Sequence, residues 1–569
     1  MVLRPRAAVA GDVAGGRGGG RVNFAAEDPF PAISVPHAPG VASGESPHGR
    51  HDPLWRPLTY TEIVRAALER YPDEVAFLHG ARAWTYAETA DTIARMERVL
   101  ARHGAARGDA VAVLCGNCPE GWMAEQACIA LGARLIPLRP LGGLGDQAFI
   151  CEDAEVKMLV FEPGSFEERA AGFKDALPAL KMLGMGPNQL APDLLAAAMA
   201  EPASRIQVLG QQDDVACQPY TGGTTGRPKG VMLPHRSLVY NFWLEIAGHQ
   251  WPARPRFLAV TPITHAAFLM IAPSLSLGGT VVLHDQFDPG HFIEDVHDRR
   301  VTATFIVPSM LYALLDHPAF DPEKLRSLET VLYGAAAMSP PRMARALECL
   351  GQIFVQMYAQ TEAPNTAVAL RKQEHDLARP HLLAASGKPL VGVQAEIHDP
   401  DEQECPVGEV GEIVIRGPLV MDGYWRRPEE TAAALRGGWL HTGDLARRDE
   451  AGYLYLVDRL KDLITTGGVH VYPREIEDLL GAHPAVAMAA VIAVADKTLG
   501  EAVKAVVVRR PGAEVSAEEL IAFVTRKKGP ANAPASVDFA ASIPLTGLGK
   551  PDKKLLRARY QDDPSNGVH

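Results

Sequence analysis

No stretch of about 20 apolar residues occurs in the 569-residue chain, so nothing in it reads as a transmembrane helix. Basic charge is in short supply: 56 Lys and Arg stand against 68 Asp and Glu, a formal net charge of −12. That excludes a nucleic-acid backbone as the main partner, because phosphate tracking needs clustered cations. It leaves room for a small anionic ligand in a local pocket. Cysteine is sparse too. Seven are scattered along the chain, which suits a reducing compartment, and a cytoplasmic location is expected. Cys115 and Cys118 make one CxxC, but no second pair completes four zinc ligands. With the apolar run Val111–Leu114 before them and Pro119–Glu120 after, they read as structural cysteines at a strand-to-helix turn. The amino terminus carries Arg4 and Arg6 but no Leu-rich apolar core, so no secretory signal is expected.

What is present suffices for large cores. The apolar fraction is 47%, and the length calls for two or more folded units. Residues 1–54 are rich in Gly, Pro, Ala and Ser and bury too little apolar surface to offset their ordering entropy, so a disordered leader is expected. Its Gly-rich patch, Gly15–Arg21, follows no strand and opens no helix, which removes the case for a nucleotide loop there. From about Leu58 amphipathic helices alternate with short β-branched runs. Helices are expected at Ile63–Tyr71, Tyr86–Gly104 and Met123–Leu131. Strands are expected at Ala110–Leu114, Arg134–Pro137, Thr280–Leu283, Ala303–Val307 and Thr330–Tyr333. Such alternation makes a sheet covered by helices. After about Gly408 the strands shorten, as at Gly411–Arg416 and Gly452–Val457. A compact α+β pattern then follows: helix Arg474–Gly481, strands Ala487–Val494 and Val503–Arg509, helix Ala517–Lys528. The expected fold is therefore α/β: a large amino-terminal domain of helix-covered mixed sheets (55–457) and a small, mobile α+β carboxy-terminal domain (458–569).

The densest chemistry lies at Tyr220–Gly230, YTGGTTGRPKG. Gly222, Gly223 and Gly226 let backbone N–H groups turn inward. Thr221, Thr224 and Thr225 add hydroxyls, and Lys229 adds a positive charge; together they suit polyphosphate oxygens. The Walker A pattern is absent, since no Gly-Lys is followed by Ser or Thr at the required spacing. The segment resembles the phosphate-binding loop of the adenylate-forming superfamily, which includes acyl-CoA synthetases, peptide-synthetase adenylation domains and firefly luciferase. Further signatures follow in the same order, so the resemblance spans about residues 55 to 560. Gly334–Met338 (GAAAM) resembles the small-residue strip beside adenine and substrate, here Gly334, Ala335, Ala336 and Ala337. Tyr358–Glu362 (YAQTE) resembles YGQTE or YGMTE, with Ala359 in place of the usual Gly. Thr442–Asp444 (TGD) and VDRLKDLI follow, and Pro544–Lys550 (PLTGLGK) stands near the carboxyl end.

The resemblance implies roles. Tyr358 would stack on adenine, Thr361 would donate to the α-phosphate, and Glu362, with Thr225, would hold Mg²⁺. Asp444 and Arg459 would hold the ribose. Lys461 would be the hinge, Lys550 the adenylation lysine, and Gly467, Gly468 and His470 would line the acceptor channel. Lys553 and Lys554 are read as solvated. The acid would bind beside His265 and Ala337, with Tyr240, Phe242 and Phe268 as bulky apolar neighbours favouring an aromatic or medium-length acyl group. The implied function is ATP-dependent activation of a carboxylic acid with release of pyrophosphate, then transfer to coenzyme A. Asn532–Ala533–Pro534 stands where relatives commonly carry a basic KAP-like segment, and His470 stands where Asn, Gln or another polar residue often sits. Loading of a carrier protein, or nitrite activation that diazotises an aromatic amine, therefore remains a second reading. A homodimer is left open.

Overall fold

The computed structural model describes residues 56–222, 227–336, 338–466, 469–496, 498–545 and 551–561. The expected leader, 1–54, lies outside them. Among the described residues no helix is long and apolar enough to cross a membrane.

Helix starts follow local chemistry. Thr59 accepts from the Glu62 N–H while Glu62 reaches back to the Thr59 backbone, closing a capping box that opens helix Tyr60–Arg70. Thr85 with Glu88, and Ser516 with Glu519, open Tyr86–Arg102 and Ala517–Lys528 in the same way. Pro at the first helical position starts Pro119–Ala130, four residues earlier than the apolar periodicity alone suggests. Cys115 and Cys118 occupy the turn between strand Ala110–Leu114 and this helix.

Three sheets build the region before residue 460. A nine-stranded sheet has a parallel centre, from Phe354–Gln360 through Thr330–Gly334, Ala303–Ile306, Arg256–Ala259 and Thr280–Leu283 to Val75–His79. Its margins are antiparallel: Ala363–Leu370 at one end and Arg82–Thr85 at the other. A second sheet sets Ala110–Leu114 between Arg134–Leu138 and Val156–Phe161, all parallel. Its far side turns antiparallel at Pro228–Pro234. These central strands are apolar on both faces because helices cover both; Ala110–Leu114 is buried at every position. The third sheet is a four-stranded antiparallel one that includes Val410–Arg416, Leu440–Arg448 and Leu454–Arg459.

From Ile464 onward a five-stranded sheet forms, centred on Gly500–Arg509 and Val486–Asp496. It carries its own apolar clusters on both faces, built around Ile464, Val491, Val507 and Leu520 on one side and Ile492, Val506 and Leu556 on the other. The result is a large domain of mixed sheets and helices followed by a smaller carboxy-terminal one.

Candidate active site

Strands Tyr220–Gly222 and Pro228–Pro234 form a hairpin in which Thr221 faces Lys229 and Gly222 faces Pro228. The expected phosphate loop falls on this hairpin, and its Gly223, Thr224, Thr225 and Gly226 lie outside the described residues. The hairpin also recruits a distant strand, because Gly423 and Tyr424 pair with Met232 and Val231. That pairing sets the Tyr424 ring beneath Lys229, whose Nζ lies 5.1 Å from the ring centroid, a cation–π contact. The Tyr424 hydroxyl then donates to Glu362 Oε1 at 2.8 Å. Glu362 is buried, and burial pushes its carboxyl pKa upward.

A second cluster forms at the ends of neighbouring strands. Asp444 and Arg459 stand opposite each other in an antiparallel pair, which places the guanidinium Nε 2.9 Å from Asp444 Oδ1. The Tyr358 hydroxyl donates to Asp444 Oδ2 at 2.9 Å. Both oxygens of this buried carboxylate are thus held. Glu412 fixes the Thr-Gly-Asp turn from behind: Oε1 accepts from the Gly443 N–H at 2.7 Å, and Oε2 lies 2.8 Å from His441 Nδ1. Gly334 ends its strand so close to the next that a Cβ would sit 2.5 Å from the Met357 carbonyl oxygen, so only glycine fits. Ala335 follows with φ of 65°, a left-handed conformation that is strained for alanine, and Ala335 and Ala336 are exposed. This leaves an open strip of small side chains at the strand ends. Ala337 lies outside the described residues.

A profile described as "AMP-binding enzyme" matches residues 64–425, and one described as "AMP-binding enzyme C-terminal domain" matches residues 475–550. The chain belongs to the AMP-binding enzyme family. It is an enzyme of the adenylate-forming superfamily, of the acyl-CoA synthetase kind. A medium/long-chain-fatty-acid–CoA ligase of Mycobacterium tuberculosis is 41% identical over 90% of this chain and 92% of its own length. A feruloyl-CoA synthase of Amycolatopsis sp is 38% identical over 86% and 96%. Among solved structures, the amide bond synthetase McbA from Marinactinospora thermotolerans superposes with a TM-score of 0.82 at 35% identity, covering 88% of this chain and all of that one.

In this AMP-binding enzyme the remaining expected residues fall in two groups. Thr361 adjoins Glu362 in sequence and is half-buried. His265 precedes helix Ala266–Ser276 and is also half-buried. Tyr240, Phe242 and Phe268 each have a partner in the surrounding structure. The Tyr240 hydroxyl donates to the Gly392 carbonyl at 2.9 Å, Phe242 is buried edge-on to Trp243, and Phe268 packs on Tyr60 with ring centroids 6.2 Å apart. In the small domain, His470 is exposed on a hairpin strand facing Thr465, and Lys461 is exposed in a single 3₁₀ turn after Arg459. Lys550, Gly467 and Gly468 lie outside the described residues. Lys553, read from sequence as solvated, is instead paired with Glu477 at 2.8 Å, because its helix packs on the small sheet; Lys554 is exposed.

Sequence reading missed Tyr424 and Glu412. The run Gly423–Tyr424–Trp425 carried a signal for the first, an aromatic pair after a glycine. Glu412 had none, since its partners are about 30 residues away.

A divalent cation fits this donor set in one way. Among the described residues no group of three or more His, Cys, Asp or Glu could hold a metal. Glu362 is a hard oxygen donor beside the phosphate hairpin, which suits an ion held by one carboxylate and by substrate phosphates.

Proposed function

We propose that the chain is an AMP-forming acid–thiol ligase, and that one observation carries this reading. Segments up to 195 residues apart bring Lys229, Tyr424 and Glu362 into one chain of contacts, and Tyr358, Asp444 and Arg459 into another. The first set supplies a cation and a hard carboxylate for a polyphosphate. The second supplies a fixed carboxylate with lone pairs left to accept from ribose hydroxyls.

ATP lies with its phosphates on Thr221–Lys229, its adenine along Gly334–Ala337 and Tyr358, and its ribose on Asp444 and Arg459. The acid's carboxylate attacks the α-phosphorus in line, and pyrophosphate leaves. Positioning and positive charge do most of this, because phosphoryl chemistry asks little covalent work of a protein. Thr361 donates to the α-phosphate, His265 borders the carboxylate, and Lys550 stabilises charge as pyrophosphate departs. Mg²⁺ on Glu362 and Thr225, when bound, neutralises phosphate charge.

The small domain, taken as 458–569, then turns about Lys461, and Gly467, Gly468 and His470 border the incoming thiol. The division of apolar clusters between residues before 460 and those from Ile464 supports that boundary. A thiolate of coenzyme A attacks the acyl carbonyl and AMP leaves, so no protein nucleophile is required. The acid is aromatic or medium-chain. The likeness to an amide bond synthetase favours one second reading, the same activation with another acceptor, such as a carrier protein or an amine.

Pyrophosphate release over a panel of acids, with and without coenzyme A, tests both steps. Acid-dependent release with coenzyme A consumed supports the ligase. Release without consumption moves the acceptor elsewhere. The variant Lys550→Ala is expected to lower adenylation about 10²–10³-fold while sparing thioester formation from supplied adenylate; equal loss in both steps sinks its role.

A further inference from the structure

Helix His235–Gly248 buries Asn241 and Glu245 one turn apart on its inner face. Asn241 Nδ2 donates to Glu245 Oε1 at 2.9 Å, and Asn365 Nδ2 donates to the same oxygen at 2.9 Å. Asn365 Nδ2 also lies 3.2 Å from the Ala266 carbonyl oxygen. An ionised carboxylate can only accept, so Asn241 turns its N–H toward Glu245 and its Oδ1 away. Glu245 Oε2 and Asn241 Oδ1 then have no hydrogen-bond partner, although Glu245 is 0% exposed and Asn241 1%. Asn241 Oδ1 is an acceptor, and Glu245 Oε2 is one once its carboxyl is ionised.

Their position is informative. Ala266 adjoins His265, and Asn365 lies three residues past Glu362. Both are half-buried, whereas Glu245 and Asn241 are fully enclosed. Through Asn365 the polar pair is thus tied to the segments that carry His265 and Glu362. The Tyr60 hydroxyl, close enough to feel the Glu245 charge, is itself buried without a hydrogen-bond partner.

We propose that Glu245 and Asn241 form the far end of the acid pocket and select acids that carry a hydroxyl or amino group remote from the carboxylate. The inference rests on the acid-activating reading above and adds the substrate's distal chemistry to it. Two enclosed acceptors are costly while unpaired, and a bound N–H or O–H satisfies them. A site built to pair with a substrate donor discriminates strongly against the analogue that lacks it. An apolar tail gains nothing there.

The test compares matched acids by kcat/KM for pyrophosphate release above about pH 8, where Glu245 is ionised: 3-(4-hydroxyphenyl)propanoate, 3-phenylpropanoate and 3-(4-methoxyphenyl)propanoate, then 6-aminohexanoate against heptanoate. The native protein is expected to favour the donor-bearing member of a pair by about tenfold or more. In Glu245→Gln the side-chain carbonyl keeps both amide donors and an NH₂ group replaces Oε2. That variant is expected to invert the ratio, losing the hydroxy acid's advantage and gaining for the methoxy acid. A purely structural Glu245 would lower all acids alike and leave the ratio unchanged. Asn241→Ala, with Glu245 in place, is expected to weaken the preference about threefold. Turnover of unsubstituted acids as good as that of their hydroxyl and amino partners overturns this inference and leaves acid activation standing. So does an unchanged ratio in Glu245→Gln. Release with no acid in any pair overturns the activation reading and this inference together.

Discussion

Asp444 and Glu245 are both buried carboxylates of one site region, and they are finished differently. Asp444 has one oxygen on Arg459 and the other on Tyr358. Glu245 receives two amide donors on one oxygen and none on the other, and burial lifts its pKa to about 7. The nucleotide end is thus assembled before any ligand arrives, as befits a substrate that never varies. The acid end leaves its polar capacity for the substrate to complete. In an enzyme family that pairs one nucleotide with many acids, that division is what differential recognition needs.

The comparison can be broken most forcefully through pH. Glu245 keeps a proton up to about pH 7 when folded, whereas its ordinary value is 4.5. Between those values the folded state binds more protons than the unfolded one, so stability falls as pH rises from 4.5 to 7, by about 3 kcal/mol for this group. Glu245→Gln does not titrate, so its Tm should gain on that of the native protein across this window. A Tm difference that stays flat from pH 4.5 to 7.5 would remove the case for an uncompensated carboxylate.

Next in size is Asp444→Ala. It strips the partner from Arg459 and Tyr358 and should weaken the KM for ATP by roughly 10²-fold, since hydrogen bonds to charged groups contribute about 1.5–3 kcal/mol. The preference among matched acids should not move. If acid selectivity changes as much as ATP affinity, the two ends are not separable. The smallest expected effect is that of Tyr424→Phe. It deletes one hydrogen bond to Glu362 but keeps the ring under Lys229, so about a fivefold loss in pyrophosphate release is expected. A change within error would place Tyr424 in scaffolding.

Much of the frame was legible. Strands Ala110–Leu114 and Thr280–Leu283 and helix Ala517–Lys528 have the bounds that periodicity and caps predict. Apolar runs between helices have one stable use, and a Ser or Thr three residues before Glu is a local signal. The hairpin Val75–Thr85 was not legible: Arg82 and Ala83 are exposed, and an edge strand need not alternate. Among the bulky neighbours proposed for the acid, Phe242 and Phe268 were read correctly as apolar, but sequence could not say that they face Trp243 and Tyr60.

The sequence by itself determined the family, the order of its motifs and the inventory of donors, because each motif's chemistry sits within about ten consecutive residues. The tertiary structure alone decided which side chains meet. Tyr424 reaches Glu362 across 62 residues, Asn365 reaches Glu245 across 120, and Lys553 finds Glu477. Burial and hydrogen-bond satisfaction are properties of a place, not of a residue type. That is why the same carboxylate group is closed by partners at Asp444 and left half-open at Glu245.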